Sequence, residues 1–293
     1  MARNWDIGFN KKFIWLIVFA TIITVTYLLG MQYIRQMGAL SGVTYVPHPQ
    51  QLKDSVRYKQ QRDVLSRQLN LMKQAYGQQS CEQLKLIKLA GKSVDVRVSE
   101  SGGWCSESSS PNSTDHVWDK GLSTALSKFS KGKTVGSFGD GPGKYKSHID
   151  SLAEVVSYTA YDGAPHVENV TRGLVKFLDL TAPQYGIPAF DWVISLEVGE
   201  HIPAKYEDIY LDNLVRHAKE GIILSWATPG QEGLSHVNNK PLVDVVAQLN
   251  KRGFHINLQA GEPLRQASSF YWLKNNINVY YRKHAESFIP DDA

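Results

Sequence analysis

The sequence predicts a doubly wound α/β domain built on a seven-stranded sheet, preceded by one transmembrane helix and a helical stem. Three observations carry this expectation. Beyond roughly residue 80, short β-rich runs alternate with amphipathic stretches, the pattern of a parallel sheet covered by helices on both faces. The first of those runs leads directly into Gly139-Asp140-Gly141-Pro142-Gly143, and nineteen uncharged residues, 13–31, stand near the amino terminus. A chain of 293 residues accommodates one ordinary domain with a segment left over, or two small ones.

Taken from the amino terminus, residues 1–12 read as a cytosolic tail. Nineteen residues at about 1.5 Å each span roughly the hydrocarbon core of a bilayer, so 13–31 reads as a signal anchor. A cleaved signal peptide is the rival, but its apolar region is shorter, about 7–15 residues. Arg3, Lys11 and Lys12 precede the span and Arg35 alone follows closely, which favours a type II orientation. The domain is then expected on the lumenal side, in the Golgi or endoplasmic reticulum. Asn112-Ser113-Thr114 and Asn169-Val170-Thr171 fit the N-glycosylation pattern, although such triplets also arise by chance. Cys81 and Cys105 either pair, which an oxidising compartment would allow, or stand as separate thiols.

Residues 32–79 are rich in Gln, Lys and Arg, with Asp54 and Asp63 the only acids, and read as a stem. Leu65, Leu69, Met72 and Tyr76 share one helical stripe. That stripe is expected to pack on the following domain, with weak self-association through a short coiled coil as the alternative. The net charge of +4 is unevenly placed: residues 1–114 carry 14 Lys and Arg against 7 acids, and residues 115–293 carry 18 against 21. An acid excess in the α/β portion argues against a nucleic-acid partner. No Cys pair has metal-ligand spacing, and no metal is expected.

Within residues 80–293 the strands are expected at 134–138, 156–161, 175–178, 192–196, 222–226, 255–258 and 277–281. Helices are expected at 144–154, 167–174, 204–219 and 241–252, the last stopped by Gly253. In open α/β sheets the ligand lies at the carboxyl ends of the strands, where a glycine turn lets the backbone approach it. Here Phe138 and Tyr145 exclude a Walker loop, and the third glycine comes one residue early for a dinucleotide fingerprint. The loop therefore suits a nucleoside without a pyrophosphate, and an NAD-linked oxidoreductase is disfavoured. Asp162 closes the second strand, 19 residues past Gly143, where a carboxylate can accept from both ribose hydroxyls.

These residues resemble the class I S-adenosylmethionine-dependent methyltransferases, which have a Rossmann-like fold. The resemblance lies in Val135-Gly136-Ser137-Phe138-Gly139-Asp140-Gly141-Pro142-Gly143 and in the fourth strand with its exit, Phe190-Asp191-Trp192-Val193-Ile194-Ser195-Leu196-Glu197-Val198-Gly199-Glu200-His201. It covers about residues 130–283. It implies S-adenosylmethionine as cofactor, with Gly139, Asp140, Gly141 and Gly143 supporting its methionine and ribose, and Asp162 holding the ribose. Asp179 and Leu180 would flank the adenine, and Glu197 would also lie against the cofactor. Ser137 stands where the family carries Asp or Glu, so a membrane-tethered scaffold that keeps the fold without activity is the alternative. Glu200 and His201 are the candidate catalytic residues, with His201 as base. His236, Asn238 and Asn239, past the fifth strand, are the candidate substrate contacts. The acceptor is expected to be a small molecule, lipid or peptide, and Tyr271-Trp272 to belong to the core. A lumenal domain would need imported cofactor.

Overall fold

The structure, a computed structural model, describes residues 49–93, 98–105 and 116–284. The predicted span at 13–31 and the Asn112 triplet lie outside the described residues. Among the described residues no helix is long and apolar enough to cross a membrane. The chain divides into two units, Met1–Val56 and Arg57–Ala293. The unit that holds the sheet takes in the stem helix from Arg57 onward.

That helix, α1 (Pro49–Leu89), corrects the expectation for its packing face. Leu65, Leu69, Met72 and Tyr76 are all exposed, and the covered stripe lies one residue further on, with Ser66, Gly77 and Cys81 buried and Asn70 and Lys73 half-buried. The reason is what the helix meets. It lies against loop backbone, whose polar groups need partners when covered. Asn70 donates to Phe177 O at 3.1 Å and accepts from Asp179 N at 3.0 Å, while Ser66 Oγ donates to Pro183 O and accepts from Tyr185 N.

The sheet has the order β3-β2-β1-β4-β5-β7-β6. Its strands are β1 (Thr134–Phe138), β2 (Ser157–Asp162), β3 (Lys176–Phe177), β4 (Phe190–Leu196), β5 (Ala218–Ser225), β6 (Phe254–Asn257) and β7 (Asn278–Arg282). All seven expected strands are present. β7 runs antiparallel between β5 and β6, while the ladders from β3 to β5 are parallel. The strand order reverses at β1 and β4, and their carboxyl ends open a crevice there.

Helices cover the sheet. They are α2 (Lys120–Phe129), α3 (Lys144–Leu152), α4 (Val167–Val170), α5 (Glu207–His217), α6 (Leu242–Lys251), α7 (Leu258–Ala267) and α8 (Tyr271–Asn276). The helix expected at 167–174 is a single turn, ended where Arg172 and Gly173 take positive φ. The one expected at 204–219 opens with a 3-10 turn, Ala204–Tyr206, and stops at His217 because β5 begins at Ala218. One core cluster contains Phe138, Phe190, Tyr210 and Leu214; the other contains Leu126, Ile149, Trp192 and Val279. Alternate residues of the central strands feed the two, so both faces of the sheet are dry.

Candidate active site at the sheet switch point

β1 ends at a loop whose backbone is lashed to β2. Gly139 N and Asp140 N both donate to Tyr161 O, at 2.8 and 2.9 Å. Gly139 has φ 94°, and a Cβ there would lie 2.3 Å from Val198, so neither the turn nor the close packing tolerates a side chain. Asp162 stands across the loop: one carboxylate oxygen accepts from Gly141 N at 2.8 Å and the other from Ala164 N at 2.8 Å. Each oxygen keeps a second lone pair for a ligand hydroxyl.

Asp140 turns its carboxyl inward, where it accepts from Ser137 Oγ at 2.6 Å and from the Tyr158 hydroxyl at 2.8 Å. Burial pushes its pKa up to about 6, although these two donors pull the other way. Ser137 is therefore bonded to a carboxyl supplied three residues later. Asp179 and Leu180 are buried beyond β3. The Asp179 carboxylate accepts from Thr181 N and Oγ1 at 2.8 and 2.6 Å, and Lys73 lies 3.8 Å away, so it organises its own turn while bordering the site.

β4 exits through Glu197, whose φ of 54° is unusual for a side-chain-bearing residue. Its N–H donates to Ser225 Oγ at 2.8 Å and its Oε2 accepts from Gln231 at 2.8 Å. The 3-10 turn Gly199–His201 follows. Glu200 is 0% exposed, and burial, with the Glu197 charge beside it, raises its pKa well above the ordinary carboxyl value. Burial raises Glu197 as well. His201 is pushed down to about 4 by burial, with His236 adding to the shift; its ring centre is 5.0 Å from that of His236. A neutral imidazole with so low a pKa is a weak proton acceptor.

These residues surround a cavity of about 390 Å³, within the range of about 300–1,000 Å³ that encloses small ligands. Gly139, Asp140, Gly141, Asp162, Asp179, Leu180, Glu197, His201 and His236 all line it. Gly143 and Glu200 stand behind the lining: Gly143 caps α3 with φ 82°, and Glu200 is wholly buried. Asn238 and Asn239 do not join them. Asn238 donates to Glu207 at 3.1 Å and Asn239 to Thr228 O and Gln231 O; they brace the loop that presents His236.

Sequence reasoning missed three parts of the rim. One is Ser101–Trp104, on a segment bridged to α1 by a Cys81–Cys105 disulfide. There a Cβ on Gly103 would lie 2.0 Å from Gly163 O. A second is His116–Trp118, of which His116 packs against Trp104 at 4.3 Å between ring centres, the rings tilted by 39°. The third is Phe270–Leu273, where the expected core assignment holds for Trp272, which packs against the second core cluster, and fails for Tyr271, which is exposed; both line the cavity. Asp119 places this last group, capping α2 through Leu122 N and accepting from Ser268 and Ser269. A buried acid just before a helix, spaced three residues from an apolar position, was the available signal.

No protein-family profile matches the chain, and none of the curated proteins matches it. Among solved structures it is similar to magnesium protoporphyrin IX methyltransferase from Synechocystis PCC 6803 with bound S-adenosylhomocysteine, at 18% identity and TM-score 0.41 over 56% of this chain and 84% of that one. It is similar also to the N-methyltransferase NodS from Bradyrhizobium japonicum WM9, in complex with the same product, at 14% identity and TM-score 0.38 over 56% and 84%. A third is the [4+2]-cyclase SpnF, at 14% identity and TM-score 0.40 over 71% and 94%.

Proposed function

We propose that the protein transfers a methyl group from S-adenosylmethionine to a small-molecule, lipid or peptide acceptor. The cavity at the carboxyl ends of β1, β2 and β4 carries this reading. Its lining holds Asp140, Asp162, Asp179, Glu197 and Glu232, with Lys144 as the one lysine or arginine among the described residues. An acid-lined pocket suits a ligand with sulfonium and ammonium groups, which is net cationic, whereas a pyrophosphate would be repelled.

In this reading Asp162 accepts from the ribose hydroxyls, and the 139–143 backbone lies under the ribose and methionine. Leu180 and Asp179 border the adenine. The sulfonium methyl is already electrophilic, so the protein's contribution is to hold the nucleophile in line and exclude water. Ser137 favours a second reading, a tethered binding module without activity. Against it stands Asp140, whose carboxyl reaches the Ser137 hydroxyl and keeps an acid beside that position.

Calorimetry separates the two. The full chain should bind S-adenosylmethionine saturably and S-adenosylhomocysteine, which lacks the sulfonium charge, less tightly. Asp162→Ala should weaken both at least tenfold, and Asp162→Asn, which retains one acceptor for the loop, less. Heat from neither ligand would leave the module; binding indifferent to both variants would remove Asp162 from the site.

The Cys81–Cys105 disulfide and the exposed Asn169 of an N-x-T triplet support an extracytosolic domain, tethered through 13–31 in type II orientation. Weak self-association is proposed through the exposed stripe of α1.

A further inference from the structure

Behind the acceptor end of the cavity, Glu200, His201 and His236 bring one donor atom each to within 4.8 Å of one another. Three ligands each about 2.1 Å from one ion lie roughly 3.5 Å from one another, so the donors close on a cation by drawing in by about an ångström. Glu200 is 0% exposed, and its carboxyl lies against that of Glu197, close enough for a hydrogen bond between the two. Two buried carboxyl groups side by side are costly as a pair of charges and call for a proton or a cation. Both imidazoles, moreover, are already oriented. His201 Nδ1 lies 3.3 Å from Ser235 O and His236 Nδ1 lies 3.2 Å from Gln231 O, which makes Nδ1 the donor and leaves the lone pair on Nε2. Backbone carbonyls orient metal-binding histidines in this way.

We propose that Glu200, His201 and His236 bind a divalent transition-metal ion, with Glu197 beside it. Mixed imidazole and carboxylate donors suit Mn²⁺ or Zn²⁺. Three protein ligands leave open positions, and His201 and His236 face the cavity. An ion there would hold an oxygen-bearing acceptor, a hydroxyl or carboxylate compound, opposite the methyl donor. That role rests on the methyl-transfer reading; the site itself does not.

The test titrates Mn²⁺ into chelator-treated full-length protein and follows the six-line electron paramagnetic resonance signal of free Mn²⁺, with Zn²⁺ as competitor. One equivalent should bind, and Zn²⁺ should displace it. His236→Ala and Glu200→Gln should each weaken binding more than tenfold while S-adenosylhomocysteine binding stays within about twofold. His236 lies on a half-buried loop, so its variant serves even if Glu200→Gln misfolds. An undiminished free signal and no Zn²⁺ heat, with S-adenosylhomocysteine still bound, would overturn the site and leave Glu197 and Glu200 sharing a proton. Metal retained by both variants would overturn it equally. Loss of nucleoside binding with metal binding intact would instead sink the methyl-transfer reading.

Discussion

Asp140 ties the glycine loop to the sheet and is also a carboxyl held where ionisation is unfavourable. Its pKa rises from an ordinary 3.8 to about 6 on folding, so the native state binds this proton more tightly than the unfolded chain does. Stability contributed by the group is thus present below about pH 4 and is lost as pH rises through 6, amounting to about 3 kcal/mol at most. Asn at this position still accepts from Ser137 and Tyr158 but carries no charge. For the ligand-free protein, Asp140→Asn should leave the melting temperature near pH 4 almost unchanged and raise it near pH 7.5. Equal shifts at both values in calorimetric scans would show that the carboxyl titrates as if in water. The sequence disclosed Asp140 only as a loop residue. Its bond to Ser137 became visible once the turn brought positions 137 and 140 to 2.6 Å, because a three-residue spacing outside a helix does not by itself say where side chains point.

At the scale of elements, runs of alternating or wholly apolar character located every strand, since burial on both sheet faces leaves a strong local pattern. Helices α7 and α8 leave no such pattern. The interior of α7 contains Gly261 and Pro263, and α8 has six residues, too few to display a period. α1 is the instructive case, because its apolar stripe was located correctly and given the wrong role. A helix that meets loop backbone buries donors and acceptors, and hydropathy cannot see such a face. Asn70 is its centre, bonded to Phe177, Asp179 and Gln184. Asn70→Ala strands a buried N–H and should cost about 2–3 kcal/mol, lowering the melting temperature by roughly 5–10 °C. Leu65→Ser, on the 64% exposed side, should shift stability by less than about 0.5 kcal/mol. Reversed magnitudes in denaturant titrations would mean that the apolar stripe is the packed one.

For the whole molecule, the doubly wound sheet and the place of the crevice followed from topology rules acting on the alternation of elements, while the rim did not. Ser101–Trp104, His116–Trp118 and Phe270–Leu273 converge from segments distant in sequence, and no local pattern announces such convergence. The proposed orientation is open to a direct check. Expressed in animal cells, the chain should run faster on a gel after glycosidase treatment, with Asn169→Gln removing part of the shift. Unchanged mobility of well-expressed protein would place the domain on the other side of the membrane.

The Cys81–Cys105 bridge fastens the piece of chain carrying Gly102, Gly103 and Trp104 to α1. A host cell with a thiol-rich interior would deliver the polypeptide with that fastening undone, and one wall of the binding chamber would then hang from its other contacts alone. Recombinant material should therefore be prepared through a secretory route before any failure to capture a nucleoside is held against the protein.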